Sequence, residues 1–219
     1  MTVVHDIGGR VPFLVPTLTK QSWIFMIGGS LFAIGAAASI WGFAGVDFTN
    51  WVCFVGAWFF TTAGLFQLVL SGDVTAPDGH GHRLIRADWL AAATQSFGTL
   101  LFNVSTTSAL TSTSVVSEMH YTWNPDAGGS VAFLISAAFV YVAFSRSEHT
   151  LWAPRKPDWW AAHINMLGCI AFGLSAVGAF VLSNGDSANP ALSNWGTFVG
   201  AICFVVASAL VLPKLPWNR

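Results

Sequence analysis

Every Lys and Arg of this chain falls in alternate gaps between six apolar stretches, and that regularity limits the fold more than any motif does. The stretches run over 22–44, 50–71, 88–110, 128–144, 158–183 and 194–212. Most are close to the ~20 residues a helix needs to cross ~30 Å of hydrocarbon. None carries Asp, Glu, Lys or Arg away from its ends. Arg10 and Lys20 precede the first stretch, and Arg83 and Arg86 lie between the second and third. Arg146, Arg155 and Lys156 lie between the fourth and fifth, and Lys214 and Arg219 follow the sixth. A chain with six spans therefore keeps all 9 basic residues on one side, which is the cytoplasmic side of a cell membrane. Five or seven spans would break the partition. The expectation is an all-α, multi-pass plasma-membrane protein with both termini cytoplasmic.

Composition agrees. Only 9% of residues are charged and 54% are hydrophobic, against roughly 25% charged in an ordinary soluble domain. The bilayer is the solvent such a chain fits. A net charge of −1 leaves no nucleic-acid footprint. Cys53, Cys169 and Cys203 lie inside apolar stretches without metal-ligand spacing, so they read as small buried residues, with no disulfide, metal or cofactor expected. Trp23, Trp51, Trp89, Trp123, Trp159, Trp160 and Trp195 stand at helix entrances, where an amphipathic ring suits the headgroup region. Asp88 and Asp158 each precede such a Trp and read as N-caps. The segment 24–39 reads as a retained first span rather than the core of a cleaved signal.

The spans read as one helical hairpin written three times. Gly28, Phe32 and Gly35 are matched by Gly98, Phe102 and Ser105, then by Gly168, Phe172 and Ser175, at a constant offset of 70 residues. Positions i, i+4 and i+7 share a helix face, so each copy offers the same notch and knob. In the second helices, 50–57 (Asn-Trp-Val-Cys-Phe-Val-Gly-Ala) is matched by 194–201 (Asn-Trp-Gly-Thr-Phe-Val-Gly-Ala). The middle copy is looser, with Trp123, Asn124, Gly129, Ser130 and Phe133. Gly56 and Gly200 each stand four residues before a Phe, and Gly196-x-x-x-Gly200 is a further close-contact surface. Like-oriented hairpins imply a pseudo-threefold axis along the membrane normal. The expected organisation is a cytoplasmic segment 1–21, hairpins 22–71, 88–144 and 158–212, and a cytoplasmic tail 213–219.

The first hairpin, with Gly28-Gly29-Ser30-Leu-Phe32, then Trp51-x-x-Phe54-Val-Gly56-Ala57-x-x-Phe60 and Phe66-Gln67-Leu68, resembles the bacterial YrhK-like membrane domain. The middle hairpin is similar through Gly98-x-x-x-Phe102 and Gly129-Ser130-x-x-Phe133. Ala57 and Ala201 depart from that pattern, which favours Ser. The resemblance implies a membrane location and paired helices. It brings no established activity or catalytic residue.

Chemistry is sparse. At 100° per residue, Gln95, Ser96, Thr99, Asn103, Thr106 and Thr107 form a polar stripe on the third helix. Lipid is no partner for it, so it meets another helix, a ligand or water. Asn165 stands 70 residues after Gln95 and is expected near it across the axis. His163 reads as a hydrogen-bonded core histidine, because a bis-histidine haem site needs a second ring at its depth. Glu118, His120 and Asp126 sit in the 111–127 segment, read as the longest external loop. His80-Gly-His82 reads as part of a mobile cytoplasmic loop. No intramembrane charge, phosphate loop, nucleophile elbow or zinc-protease motif is present.

Two functions follow. The first is a structural or accessory subunit whose glycine and aromatic faces (Gly28, Phe32, Gly56, Gly98, Phe102, Gly168, Phe172, Gly200) pack helices, with the bilayer, a membrane protein or a second copy as partner. The second is a small-solute or lipid-like ligand pathway lined by Gln95, Thr99, Asn103, Thr106 and Asn165. An enzyme built on the 111–127 loop is weaker than either. A polar cavity reaching Asn103 would favour the pathway, and a dry axis the subunit.

Overall fold

The computed structural model describes residues 15–77 and 82–212. The segment 1–14, residues 78–81 with His80, and the tail 213–219 lie outside the described residues, and Arg10, Lys214 and Arg219 with them.

Helix α1 spans Leu18–Trp41. It starts where Thr17 turns extended and its Oγ1 accepts the Lys20 N–H at 3.2 Å, satisfying one of the amides a helix leaves open at its N-terminus. It stops at Gly42, whose φ of +66° lies in the left-handed region. Helix α2 spans Val46–Leu70. Both begin four residues before the apolar stretches do. Polar residues such as Gln21 and Asn50 are still helical, so the turn between the helices is only 42–45.

A two-stranded antiparallel hairpin follows, β1 (Thr75–Pro77) with β2 (Arg83–Ile85). Helix α3 is Ala87–Ala109. A short helical turn, α4 (Val115–Ser117), leads through a π-helical stretch, Glu118–Trp123, directly into α5, Asn124–Glu148. Helices α6 (Pro157–Gly178) and α7 (Pro190–Leu210) open on prolines, a residue that costs nothing where no intrahelical N–H bond exists.

Two expectations are corrected here. The 111–127 segment is not an irregular loop, because helix runs through most of it. Pro125 has no N–H to give and crowds the carbonyl four residues back. The wider π turn just before it absorbs that defect, with the Asn124 N–H reaching Met119. Asp88 and Asp158 are not N-caps either. Arg86 and Lys156 hold those positions, and the two carboxylates lie in the first turns, still near the positive ends of the helix dipoles. Asp88 accepts its neighbour's N–H, from Trp89, at 3.0 Å and pairs with Arg86.

The six long helices stand in a closed ring. Each packs on its chain neighbours, and α7 closes on α1. Contacts between neighbours run in opposite chain order, Gly98 facing Gly129 while Ala91, earlier in α3, meets Ser136, later in α5. Asn50 donates to the Ala109 carbonyl (3.1 Å), Ser136 to Ala91 (2.8 Å) and Ser130 to Phe172 (3.3 Å). The helices therefore alternate in direction. Lys20, Arg83, Arg86, Arg146, Arg155 and Lys156 then share one end of the bundle, called the basic end below.

Five of the helices are long and apolar enough to cross a membrane. The chain is an all-α, multi-pass membrane protein. Helix α3 has the length, 23 residues, but carries the polar stripe.

Three helix pairs meet backbone to backbone at glycines. A Cβ on Gly28 would stand 3.1 Å from the Gly56 carbonyl oxygen, one on Gly98 3.1 Å from that of Gly129, and one on Gly168 3.2 Å from that of Gly200. Lipid gives helices no hydrophobic reason to associate, so close approach and dispersion must supply it.

Candidate functional site

The Gly-to-Phe step carries a phenylalanine from each helix to the middle of the ring. Phe32, Phe102 and Phe172 form one triangle, with ring centroids 6.4, 6.2 and 5.9 Å apart. Phe60, Phe133 and Phe204 form a second, at 6.5, 5.6 and 5.5 Å. The triangles stack, with Phe32 on Phe60 at 5.4 Å, Phe102 on Phe133 at 5.0 Å and Phe172 on Phe204 at 5.6 Å. All six rings are buried. Offset and edge-on rings at such spacings also gain quadrupole energy beyond their burial. The six rings fill the middle of the bundle.

Between this aromatic floor and the basic end lies a cavity of about 830 Å³, a usual size for a small-molecule pocket. Its lining repeats around the ring. Leu18, Asp88 and Asp158 line it at the mouth, Gln21, Ala91 and Ala161 about one turn deeper, and Phe25, Gln95 and Asn165 below them. Phe204 belongs to the floor, and Ser136 and Val140 to the wall. Arg86 and Arg146 join the two Asp residues in the lining near the helix ends.

Two of the sequence-predicted pathway residues, Gln95 and Asn165, line this cavity. Gln95 is 4% exposed, and its side-chain amide makes no hydrogen bond to another described residue. The other three do not join them. Thr99 is fully buried and its hydroxyl donates to the Ser96 carbonyl at 2.7 Å. Thr106 donates to Phe102 at 2.8 Å. Asn103 donates through Nδ2 to Thr61 Oγ1 on α2 at 2.6 Å, while Ser96 Oγ donates to the Gly64 carbonyl at 2.8 Å. Ser96 and Asn103 thus hold α3 against α2, while the three threonine hydroxyls bond within α3.

Asn103 and Thr107 do reach a second, shallower cavity of about 490 Å³, shared with Ser117 and Tyr121. The two cavities have no lining residue in common, so they do not make one path. Asn103 Oδ1 is buried without a hydrogen-bond partner among the described residues.

At the far end, His120 is exposed and its Nδ1 lies 3.5 Å from the Asn124 amide. Glu118 and Asp126 are half-buried. Among the described residues no group of three His, Cys, Asp or Glu side chains is placed to hold a metal ion. His163 donates from Nδ1 to its own helix, at the Trp159 carbonyl (2.7 Å), and its ring lies over Trp159 with centroids 4.0 Å apart. The three cysteines are free thiols.

Sequence reasoning missed Phe25, Ser136, Arg146 and Phe204 as cavity residues. The signal for the first was available. Phe25 stands 70 residues before Gln95, at the offset that already linked Gln95 to Asn165. Comparison with protein-family models, with curated proteins and with solved structures finds no match to this chain.

Proposed function

We propose that the chain is a structural or accessory subunit of the plasma membrane, a six-span bundle that does not conduct. It is three hairpins around a pseudo-threefold axis, with both termini cytoplasmic. The observation that carries this reading is the double layer of phenylalanines closing the axis. A solute would have to part six buried rings to cross. The constant 70-residue offset of Gly28, Gly98 and Gly168, each set against a glycine carbonyl, supports the triplication. The shared end of the six described Lys and Arg residues supports the orientation. The likeness of the first two hairpins to the YrhK-like domain belongs to the same reading.

The test has two arms. Purified protein in liposomes is expected to leave the release of entrapped glycerol and of potassium ions at the rate of empty vesicles. Gentle-detergent extraction with cross-linking and mass spectrometry is expected to return a stoichiometric membrane partner or a homo-oligomer. Solute flux from a solitary chain would sink the proposal.

One observation favours a second reading, a ligand-binding membrane protein. The cavity at the basic end is lined by the unpartnered Gln95 amide. It ends blind on the aromatic floor, so it suits binding rather than passage. The segment on which the enzyme reading stood is largely helix, with His120 exposed on it.

A further inference from the structure

The basic-end cavity contains polar groups that folding leaves unused. Gln95 is buried, yet its amide bonds to no described residue. Asn165 has a single hydrogen bond, a long 3.9 Å contact from Nδ2 to the sulfur of Cys169, which is a weak acceptor. Each of the two stands eight residues after the first residue of its helix, Ala87 or Pro157. At 1.5 Å per residue that is about 12 Å below the helix starts. Ser136, beside them in the lining, spends its hydroxyl on the Ala91 carbonyl at 2.8 Å. Two carboxamides thus stand at equal depth, the buried Gln95 without a partner and the half-buried Asn165 with only a weak one, each keeping a donor and an acceptor to offer. A ligand edge that matches such a group is favoured over one that leaves it unmatched.

Charge narrows what can match them. The charged lining residues, Arg86, Arg146, Asp88 and Asp158, lie near the helix ends and are two of each sign. Arg86 and Asp88 already pair. No charged side chain lines the cavity at the depth of Gln95. An ion seated there would lose its hydration without meeting a counter-charge, which disfavours it. Most of the remaining surface is apolar, with Phe25, Phe204, Val140 and Phe144, and its other polar residues are Gln21, Gln67, Ser147 and Ser208.

We infer that this cavity binds a small uncharged molecule with an aromatic or similarly apolar body and an amide-like edge, of the carboxamide, lactam or imide class. The apolar body lies on Phe25 and Phe204, and the donor–acceptor edge is read by Gln95 with Asn165 beside it. The inference rests on the ligand-binding reading above.

Benzamide, methyl benzoate and benzoate share a body and differ only at the edge. The first has donor and acceptor, the second only acceptors, and the third a charge. Titrated calorimetrically into the full chain in nanodiscs, benzamide is expected to bind at least tenfold more tightly than either of the others. Gln95→Leu is expected to weaken benzamide tenfold or more while leaving methyl benzoate within twofold. Gln95→Met serves the same purpose if the leucine variant does not fold. Benzoate binding as well as benzamide, or benzamide indifferent to both substitutions, would overturn the donor–acceptor rule while leaving a binding cavity. No binding by any of the three would overturn the inference together with the reading beneath it.

Discussion

At Gly196 there is no room for one more carbon. A Cβ there would stand 2.7 Å from both the Ala171 oxygen and the Ser175 nitrogen, backbone atoms that no rotamer change can move. Gly173 is different, since its Cβ would meet only the end of Leu134 at 3.6 Å. Alanine is the better helix former by about 1 kcal/mol, so the two positions should respond with opposite sign. Gly196→Ala is expected to destabilise the protein by roughly 1–3 kcal/mol, the usual penalty of overpacking. Gly173→Ala should be neutral or slightly stabilising. Reversible denaturation in mixed micelles measures both, and equal responses would remove close backbone contact as the reason for these glycines. The spacing of Gly196 and Gly200 announced this surface in the sequence. That Gly173 is slack was not legible, because helix phase alone does not say which small residue meets a neighbour.

Helix α3 shows the same limit for a whole element. Its polar stripe was plain in the sequence, but not what it faces. A stripe that lines a pathway and one that seals two helices have identical periodicity, and only the neighbour decides. Here α2 brings Thr61 and Gly64 against it, and one residue, Gln95, is left to the cavity. The helical run before α5 was illegible for another reason. A π turn that accommodates a proline such as Pro125 has no periodic signature. The Asn103–Thr61 bond offers a quantitative check. Removing the Asn103 side chain also removes an Oδ1 that has no partner among the described residues, and Thr61 can turn its hydroxyl to its own helix. Removing the Thr61 hydroxyl instead strands a buried amide. Thr61→Val should therefore cost about 1–3 kcal/mol and Asn103→Leu less than ~1 kcal/mol, close to what such bonds contribute in membranes. The reverse order, measured by the same denaturation, would mean the stripe serves something other than the α2–α3 seam.

For the whole molecule the open question is whether α3 crosses the membrane, since its composition alone is too polar. Composition is the wrong measure for a helix inside a ring. The polar side chains Gln95, Ser96, Thr99, Asn103 and Thr106 are all buried, whereas Phe97, Leu100 and Val104 are exposed on the outside. What lipid would touch is an apolar stripe at i, i+3 and i+7, and most of what composition averages in is hidden, Thr107 near the end of the helix being the exposed exception. The cost of inserting α3 is therefore offset once α2 and α5 flank it. Cysteine accessibility tests this directly, in a background lacking Cys53, with Cys169 and Cys203 buried. Thr150→Cys lies in the link between α5 and α6, and Asn184→Cys in the link between α6 and α7; both native residues are exposed. With six spans and the basic end inside, a membrane-impermeant maleimide should label position 184 in intact cells and position 150 only after permeabilisation. Were α3 to remain in the cytoplasm, α5 would carry position 150 outward and α6 would return 184 to the inside, exchanging the two results. It would also bring Arg146, Arg155 and Lys156 outside, against the charge rule that sets membrane orientation. The same exchange would take α3 out of the ring and leave the phenylalanine triangles with an open side, so labelling at these two positions bears on the closed axis as well as on the span count.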